Sequence, residues 1–337
     1  MRIEFLRRGL VIAVLLTVAS ANAVHAQVAP AGQTAPAPPV GPAPDGRIGG
    51  QGPAIPGGGG RGGFPPVQIG PPAPVPPEVA IPRPSPAELA QINAAVSTFV
   101  AADSSAAGPV LRKYASLLVL PPPRLNVAAT FTQTVQRMGP RHEGFVEIAK
   151  NGGIDLLLHG DSITDWWVQN DDNRAVFNKY FGGTKVANFA IAGDTTQGVL
   201  WGLQNGEGQG FQPKAVMVMI GTNNSGASSG PEIAEGVGAV VLELRRDFPN
   251  AKILLLAIFP RSVPGDPVRD KLAEANRIIS RLDDQQHVFY LDIGPKFLDE
   301  KGFLLPNSFR PDNLHPTALG YDIWGQAVQA KLAELLK

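Results

Sequence analysis

The feature that most constrains this chain is an apolar run at residues 154–158 that leads into His159-Gly160-Asp161-Ser162. The run has the length of a buried strand, and a helix-like pattern follows the serine. A strand that ends in this way presents a serine hydroxyl at the carboxyl edge of a sheet, where ligands bind in open α/β folds. The same residues also suit a plain turn with a helix N-cap, so the interpretation needs support from the rest of the chain.

Short apolar runs alternate with helical patterns throughout the second half of the chain. Five runs are predicted strands, at residues 154–159, 185–191, 215–220, 252–258 and 288–292. Helical patterns stand between them, and a last helix is predicted at residues 317–336. Such alternation predicts parallel strands joined by crossover helices. The expected fold class is therefore α/β, a three-layer αβα sandwich with a five-stranded parallel sheet.

Composition and charge exclude several classes of function. Lys plus Arg and Asp plus Glu are equal at 29 each, so no net field attracts nucleic acid or an anionic membrane. The chain has no cysteine, which excludes disulfides, a cysteine nucleophile and thiolate metal ligands. We expect no nucleic-acid partner, and the sequence does not indicate an oligomeric state.

Two segments of unusual composition precede the first predicted helix. Residues 1–26 have the pattern of a secretory signal, with arginines before an apolar centre and a small-residue cleavage site at Val24-His25-Ala26. This pattern predicts an exported protein, periplasmic or secreted, with no stable membrane insertion after cleavage; an uncleaved anchor is the alternative. Residues 27–84 are rich in Pro, Gly and Ala and predict a disordered linker, because few of their side chains could be buried.

Residues 85–139 are predicted to form a short helical segment before the main domain at residues 140–337. Ser85-Pro86-Ala87-Glu88 is typical of a capped helix start. We interpret the apolar stripes that follow as core packing, in a first helix with Leu89, Ile92, Val96, Phe99 and Val100 and a second with Leu111, Tyr114, Leu117 and Leu118. The sequence leaves open whether these helices pack on the main domain or form a separate hairpin.

Polar residues follow the carboxyl ends of several predicted strands. Gly160-Asp161-Ser162 follows the first strand, Gly193-Asp194-Thr195 the second, and Gly221-Thr222-Asn223 the third. Asp312-Asn313-Leu314-His315 lies beyond the fifth strand, directly before the last helix. Because the carboxyl ends of parallel strands share one edge of a sheet, these motifs are expected to meet in space.

Together these residues are the parts needed for acyl transfer. Ser162 is the candidate nucleophile, His315 its general base, and Asp312 the residue that orients the imidazole. The N–H groups of Ser162 and Gly193 and the side-chain amide of Asn223 are candidate donors to an oxyanion. Each motif alone also fits a turn or a helix cap, but four of them at one sheet edge favour the catalytic interpretation.

Three aromatic residues are candidate substrate-binding groups, since aromatic faces suit both sugars and acyl chains: Trp166, Trp201 and Phe309. Core packing is the alternative for each of them. Three polar neighbours of the motifs are interpreted as structural supports: His159, Asp161 and Asp194.

The four motifs resemble the blocks of the SGNH (GDSL-type) hydrolase family, which is named for its Ser, Gly, Asn and His. Residues 188–203 and Gly221-Thr222-Asn223-Asn224 are similar to the platelet-activating-factor acetylhydrolase Ib catalytic subunits and their bacterial relatives. The resemblance covers about residues 140–337. It implies a flavodoxin-like sheet, no metal or other cofactor, and ester hydrolysis through an acyl-enzyme. Ala190 departs from the family, since it stands where a glycine is common.

The sequence thus predicts an exported serine esterase that hydrolyses short-chain oxygen esters, above all acetyl esters, of a small molecule or a polysaccharide. Export favours substrates outside the cytoplasm, such as acetylated carbohydrate. Two alternatives stay open. One is a lipid acylhydrolase that acts on acetyl phospholipid or lysophospholipid, and the other is a non-catalytic glycan-binding module in the envelope, carried on the linker.

Overall fold

The computed structural model describes residues 67–337, so the predicted signal and most of the predicted linker lie outside the described residues. Five parallel strands form one sheet: β1 (Leu156–Gly160), β2 (Val186–Asn188), β3 (Ala215–Met219), β4 (Lys252–Leu256) and β5 (Val288–Leu291). Their spatial order is β2-β1-β3-β4-β5. This is the flavodoxin-like order, with its crevice where the strand order reverses around β1. The predicted fold class and its five parallel strands are confirmed.

The α-helices of the described residues are α1 (Pro86–Ala102), α2 (Gly108–Lys113), α3 (Pro140–Asn151), α4 (Ser162–Asp165), α5 (Asp171–Phe181), α6 (Thr196–Gly202), α7 (Gly230–Asp247), α8 (Pro267–Ile279) and α9 (Ala318–Leu335). None of those in residues 67–337 combines the length and apolar character needed to cross a bilayer.

Side chains alternate between the two faces of the sheet and pack against different helices. Leu157 and Val216 belong to a core cluster shared with α3, α6, α7 and α8. Leu156 and Met217 belong to a second cluster shared with α5 and α9, in which Trp324 is fully buried. A strand buried on both faces reads as a continuous apolar run, which is why the five strands could be located from the sequence. The two clusters make the predicted three-layer sandwich.

Gly160 ends β1 at a point of close approach between neighbouring elements. A Cβ atom at this position would lie 2.4 Å from the Met219 carbonyl oxygen and 2.6 Å from Thr164 Oγ1. The glycine therefore lets the chain turn directly from β1 into α4. Asp161 caps this short helix, because its Oδ1 atom accepts a hydrogen bond from the Ile163 N–H at 3.0 Å. Ser162 is in this way held at the first position of α4.

Residues 67–84 differ from the predicted disordered linker, because they pack on the main domain. Pro72 pairs with Thr130 in an isolated antiparallel bridge, and the side chains of Ala73 and Val79 are buried. The prediction is wrong for this part of the linker. Its apolar side chains join the core cluster of the main domain, a burial that composition alone does not indicate.

A buried carboxylate on α7 fixes the end of this segment. Glu235 is 1% exposed and forms an ion pair with Arg83, with 2.6 Å between Oε1 and Nη1. It also accepts hydrogen bonds from the Ile81 N–H at 2.7 Å and from the Asn126 side-chain amide at 2.9 Å. Composition alone does not reveal these partners, because they lie more than a hundred positions away from Glu235.

The predicted domain boundary after residue 139 falls inside the folded domain. Arg137 is fully buried, forms an ion pair with Asp194 at 2.8 Å and binds Glu207 as well. The segment that carries Arg137 therefore belongs to the main domain rather than to the helices before it.

The first two helices form a hairpin, and its apolar side chains are more exposed than predicted. Ser85 caps α1 through a capping box, as the sequence indicates. Asn93 joins α1 to the backbone of Leu120 through two hydrogen bonds of 3.0 and 2.8 Å. Within the predicted stripes, however, Phe99 is 40% and Leu117 78% exposed. The core-packing interpretation is wrong for these residues, because the short α2 and the turn after it cover only a narrow strip of α1.

We expect Glu235→Ala to lower the free energy of unfolding by about 2 kcal/mol, since a charged acceptor that serves three buried or half-buried donors is lost. Urea denaturation of the full chain would measure the change. Glu147→Ala, an exposed position on α3, is the control and should change stability by less than about 0.5 kcal/mol. Equal stability of the two variants would mean that residues 81–83 are not docked as described.

Candidate active site

Ser162, His315 and Asp312 form one chain of hydrogen bonds. The Nε2 atom of His315 lies 2.9 Å from Ser162 Oγ, and its Nδ1 atom lies 2.7 Å from Asp312 Oδ2. An ionised carboxylate can only accept hydrogen bonds, so the imidazole proton belongs on Nδ1 and Nε2 is free to accept from the serine hydroxyl. Ser162 is 4% exposed, and 12% of the His315 side chain is exposed. This geometry allows the imidazole to take the hydroxyl proton as the oxygen attacks a carbonyl.

Asp312 organises its own loop as well as the imidazole. Its Oδ1 atom accepts hydrogen bonds from the backbone N–H groups of Leu314 and His315, both at 3.0 Å. Partial burial raises the pKa of Asp312, but hydrogen bonds from the His315 ring and from these two N–H groups outweigh it and hold the pKa below its ordinary value. Asp312 is therefore ionised at neutral pH and fixes the imidazole tautomer.

The loop that carries His315 is tied to its neighbours through the backbone. The Arg310 N–H donates to the His315 carbonyl oxygen at 2.8 Å, and the Ser262 N–H donates to the Asn313 carbonyl oxygen at 2.9 Å. Asn313 has a φ of +52°, a left-handed conformation that asparagine tolerates better than most residues. These contacts hold the imidazole at the sheet edge even though no regular element carries it.

The structure also joins the loops that carry Gly193 and Asn223. Asn223 Nδ2 donates to the Asp194 carbonyl oxygen at 2.8 Å, which uses one of its two amide protons. The Gly193 N–H has no acceptor within residues 67–337. Gly193 has a φ of +80°, and a Cβ atom there would lie 3.2 Å from Gln136 Nε2, so glycine suits the position. One amide proton of Asn223 and the Gly193 N–H are thus available to an oxyanion.

Asp165 ties the Gly193 loop to the helix that begins at Ser162. Its Oδ2 atom accepts a hydrogen bond from the Ala192 N–H at 2.9 Å. Arg141 binds the same carboxylate with both terminal nitrogens, at 2.8 and 3.0 Å. Because Asp165 lies one turn after Ser162 in α4, the Gly193 loop is held beside the serine.

A cluster of buried charges lies under the Gly193 loop. Arg137 binds Asp194 on one side and Glu207 on the other, and all three side chains are fully buried. Burial raises the pKa of Glu207, but the hydrogen bond from His142, the His159 ring 3.7 Å away and the charge of Arg137 lower it to about 2. The cluster therefore stays charged and fixes Asp194, the residue that follows Gly193.

Asp161 is a buried acid directly before the serine. Its Oδ2 atom has no hydrogen-bond partner among the described residues. Burial raises the pKa of Asp161 to about 7, and the nearby charge of Asp194 adds to this effect, although the Ile163 N–H opposes it. Asp161 is thus a helix cap that is partly protonated near neutral pH, and it does not contact the imidazole.

Trp166 stacks on the imidazole of His315. The ring centroids are 3.9 Å apart, and the ring planes are inclined by 28°. The Arg310 guanidinium lies 4.7 Å from the centroid of the Trp166 ring and also binds Gln169 at 3.2 Å. The indole therefore restricts rotation of the imidazole. The sequence predicts a substrate contact for Trp166 and does not indicate this role.

The other two predicted aromatic residues lie apart from this group. Phe309 is 8% exposed and packs edge-on against Phe297 in the core, with centroids 5.3 Å apart. The predicted substrate-binding role is therefore wrong for Phe309. Trp201 is half-buried, and its ring lies 4.8 Å from that of His142, which binds Glu207. Trp201 therefore lies beside the buried charge cluster rather than beside the imidazole of His315.

Sequence reasoning missed four side chains that shape the site: Gln136, Arg137, Arg141 and Arg310. Their spacing from the motifs has no pattern, and isolated charged or amide residues are most often solvated. Within residues 67–337, no group of three His, Asp or Glu side chains is arranged to hold a metal ion.

Asp161→Asn should stabilise the protein at neutral pH but not near pH 4. The folded-state pKa of about 7 exceeds the ordinary value of 3.8, so the stability contributed by the bound proton is present below about pH 4 and is lost as the pH rises to about 7. The free energy of unfolding that the parent protein loses over this pH range through Asp161 is on the order of 4 kcal/mol. Urea unfolding of both proteins across this range would measure it.

The control for this pH dependence is Glu300→Gln, an exposed substitution of the same kind. It should give no gain in stability that grows with pH. A stability difference between Asp161→Asn and the parent protein that stays constant from pH 4 to pH 8 would contradict the raised pKa.

This chain is similar in sequence to several known proteins. Residues 158–323 match the sequence model of the GDSL-like lipase/acylhydrolase family. Platelet-activating factor acetylhydrolase IB subunit alpha2 of Rattus norvegicus is 34% identical over 201 residues, which are 59% of this chain and 85% of the relative. Subunit alpha1 of Bos taurus is 31% identical over 196 residues, which are 58% and 82%. A crystal structure of a GDSL-like lipase from Bacteroides thetaiotaomicron is 18% identical, with a TM-score of 0.44, and covers 56% of this chain and 90% of that one.

Both mammalian relatives are more than 30% identical to this chain, and the shared part covers more than four fifths of each of them. The chain therefore belongs to the GDSL-like lipase/acylhydrolase family and is a serine-dependent carboxylic ester hydrolase.

Proposed function

We propose that this protein is an exported esterase that removes short acyl groups, above all acetyl, from oxygen esters, with Ser162, His315 and Asp312 as its catalytic residues. The observation that carries the proposal is the unbroken chain of hydrogen bonds from Ser162 Oγ through the imidazole to the ionised Asp312. A serine hydroxyl is a weak nucleophile unless a base takes its proton during attack, and this contact supplies that base.

The proposed reaction begins at the serine hydroxyl. Ser162 Oγ attacks the ester carbonyl carbon while its proton passes to His315 Nε2, and the carbonyl oxygen becomes an oxyanion. The N–H groups of Ser162 and Gly193 and the free amide proton of Asn223 stabilise this charge. The ester C–O bond then breaks, and the alcohol leaves with the proton from His315. Water repeats the sequence on the acyl-enzyme and releases the acid.

The acyl group and the compartment rest on separate arguments. The names of the two mammalian relatives specify removal of an acetyl group, which favours an acetyl ester here. Residues 1–26 have the pattern of a secretory signal, which favours substrates outside the cytoplasm, with acetylated carbohydrate as the first candidate.

The second candidate is a lipid acylhydrolase that acts on acetyl phospholipid or lysophospholipid. The names of the same two relatives favour it, because they specify platelet-activating factor. A glycan-binding module without turnover, the third possibility that the sequence raised, has no such support, since the chain belongs to a family of hydrolases.

Ser162→Ala should lower kcat for p-nitrophenyl acetate by more than about 10,000-fold, because the nucleophile is lost while the fold has no reason to change. It should also abolish covalent labelling by a fluorophosphonate probe. Ser97→Ala, an exposed position on α1, is the matched control and should keep both properties. Comparable turnover or labelling by Ser162→Ala would remove this residue as the nucleophile.

Trp166→Leu should lower kcat for p-nitrophenyl acetate about tenfold with little change in KM, because the stacking contact that orients the imidazole is lost. Trp166→Phe keeps an aromatic face and should recover most of the loss. The sequence-based alternative, a substrate contact, predicts the opposite pattern. If KM rises while kcat stays constant, Trp166 binds substrate and does not position His315.

A further inference from the structure

A groove of about 400 Å³ adjoins Asn223 at the sheet edge. It is lined by residues 124–128, which we call its wall, and by Thr195, Gln197, Asn223, Asn224, Ala227, Ser228 and Glu232. We refer to it as the Asn223 groove. Its volume is in the range of small-molecule clefts, and its lining includes Asn223, the proposed oxyanion donor.

The wall formed by residues 124–128 is fixed on the main domain. Asn126 donates to the Glu232 carbonyl oxygen at 2.9 Å, and its own Oδ1 accepts from the Ala128 N–H at 3.1 Å. Arg124 pairs with the Glu232 side chain at 3.0 Å. These wall residues lie outside residues 158–323, the stretch that matches the family model.

Neutral hydrogen-bonding groups in the groove are free. Gln197 Oε1 accepts from Asn224 Nδ2 at 3.0 Å, and its Nε2 atom has no partner within the part of the chain that the structure describes. The hydroxyl of Ser228 likewise has no partner in residues 67–337. Leu125 and Val127 add apolar surface, with 50% and 37% of their area exposed. This combination of amide, hydroxyl and aliphatic surface suits a ligand that has both hydroxyl groups and C–H faces.

The charges in the groove are balanced. The cation that lines it, Arg124, is paired with the lining anion, Glu232. A phosphate group placed there would lose water without meeting an unpaired cation, and an alkyl chain would leave the free amide and hydroxyl unsatisfied. A neutral, hydroxyl-rich group carries no charge to desolvate and can form hydrogen bonds with the free amide and hydroxyl.

We propose that the Asn223 groove holds the alcohol part of the ester and that this alcohol is a neutral sugar. The inference rests on the proposed function, because it places the sugar beside the carbonyl that Ser162 attacks. Esters of sugars are then distinguished from esters of phospholipids by residues 124–128 and by the free donors of Gln197 and Ser228.

The test compares kcat/KM for an acetylated xylo-oligosaccharide, for p-nitrophenyl acetate and for an acetyl glycerophosphocholine in the full chain. Gln197→Glu removes the free Nε2 donor and keeps the acceptor for Asn224, and Ser228→Phe fills the groove. Each substitution should lower the ratio of kcat/KM for the oligosaccharide to kcat/KM for p-nitrophenyl acetate by about tenfold. A loss of this size is expected when one hydrogen bond between uncharged groups is removed. Gln329→Glu, exposed on α9, and Ser97→Phe, exposed on α1, are the matched controls and should leave this ratio unchanged.

The outcomes separate the two proposals. Failure of the parent protein to hydrolyse any ester or to react with a fluorophosphonate would overturn the proposed function. An active parent protein whose ratio is unchanged in both groove variants would overturn the groove inference alone. Faster turnover of the acetyl glycerophosphocholine than of the oligosaccharide would overturn the sugar assignment while the esterase remains. Circular dichroism of each variant confirms that the fold is retained.

Discussion

The interaction on which the site depends most is the buried ion cluster of Arg137, Asp194 and Glu207. One guanidinium joins the chain before β1, the loop after β2 and the turn after α6. A buried ion pair gains little over apolar packing, but the loss of one member leaves a charge without compensation and is strongly destabilising. The three segments are thus held in one arrangement. The position of Gly193, which comes directly before Asp194, is set from the interior of the domain rather than by the exposed loop itself.

The sequence is sufficient for the architecture because both faces of the sheet are covered. Strands buried on both faces are continuous apolar runs, and the helices between them have clear caps, such as Asp266 before α8. The site follows from the same topology. Since all strands are parallel, the segments after their carboxyl ends share one edge, which brings Ser162 and His315 within 2.9 Å although 153 positions separate them. Residue type and position in the topology are therefore enough to predict that Ser162 and His315 lie close together.

What the sequence does not show is the direction and burial of single side chains. Phe309 lies three residues before Asp312, but the bridge between Phe309 and Pro316 turns its ring into the core. Trp166 lies close to the serine in sequence, yet its ring faces the imidazole. Residues 81–83 are held by Glu235, whose burial on α7 becomes apparent only when the layers are assembled. Each of these properties depends on three-dimensional neighbours, which spacing along the chain does not specify.

Residues before position 158 pack on the main domain, so the part of the chain that identifies the family differs from the part that folds together. Residues 158–323, the stretch that matches the family model, contain the four motifs. The same stretch contains Asp194, Glu207 and Glu235, whereas their partners Arg137, His142 and Arg83 lie before it. Transplanted into another polypeptide, this stretch would carry three interior carboxylates without their counter-charges. We therefore expect the smallest piece of this chain that folds alone to be longer than residues 158–323 and to include Arg83.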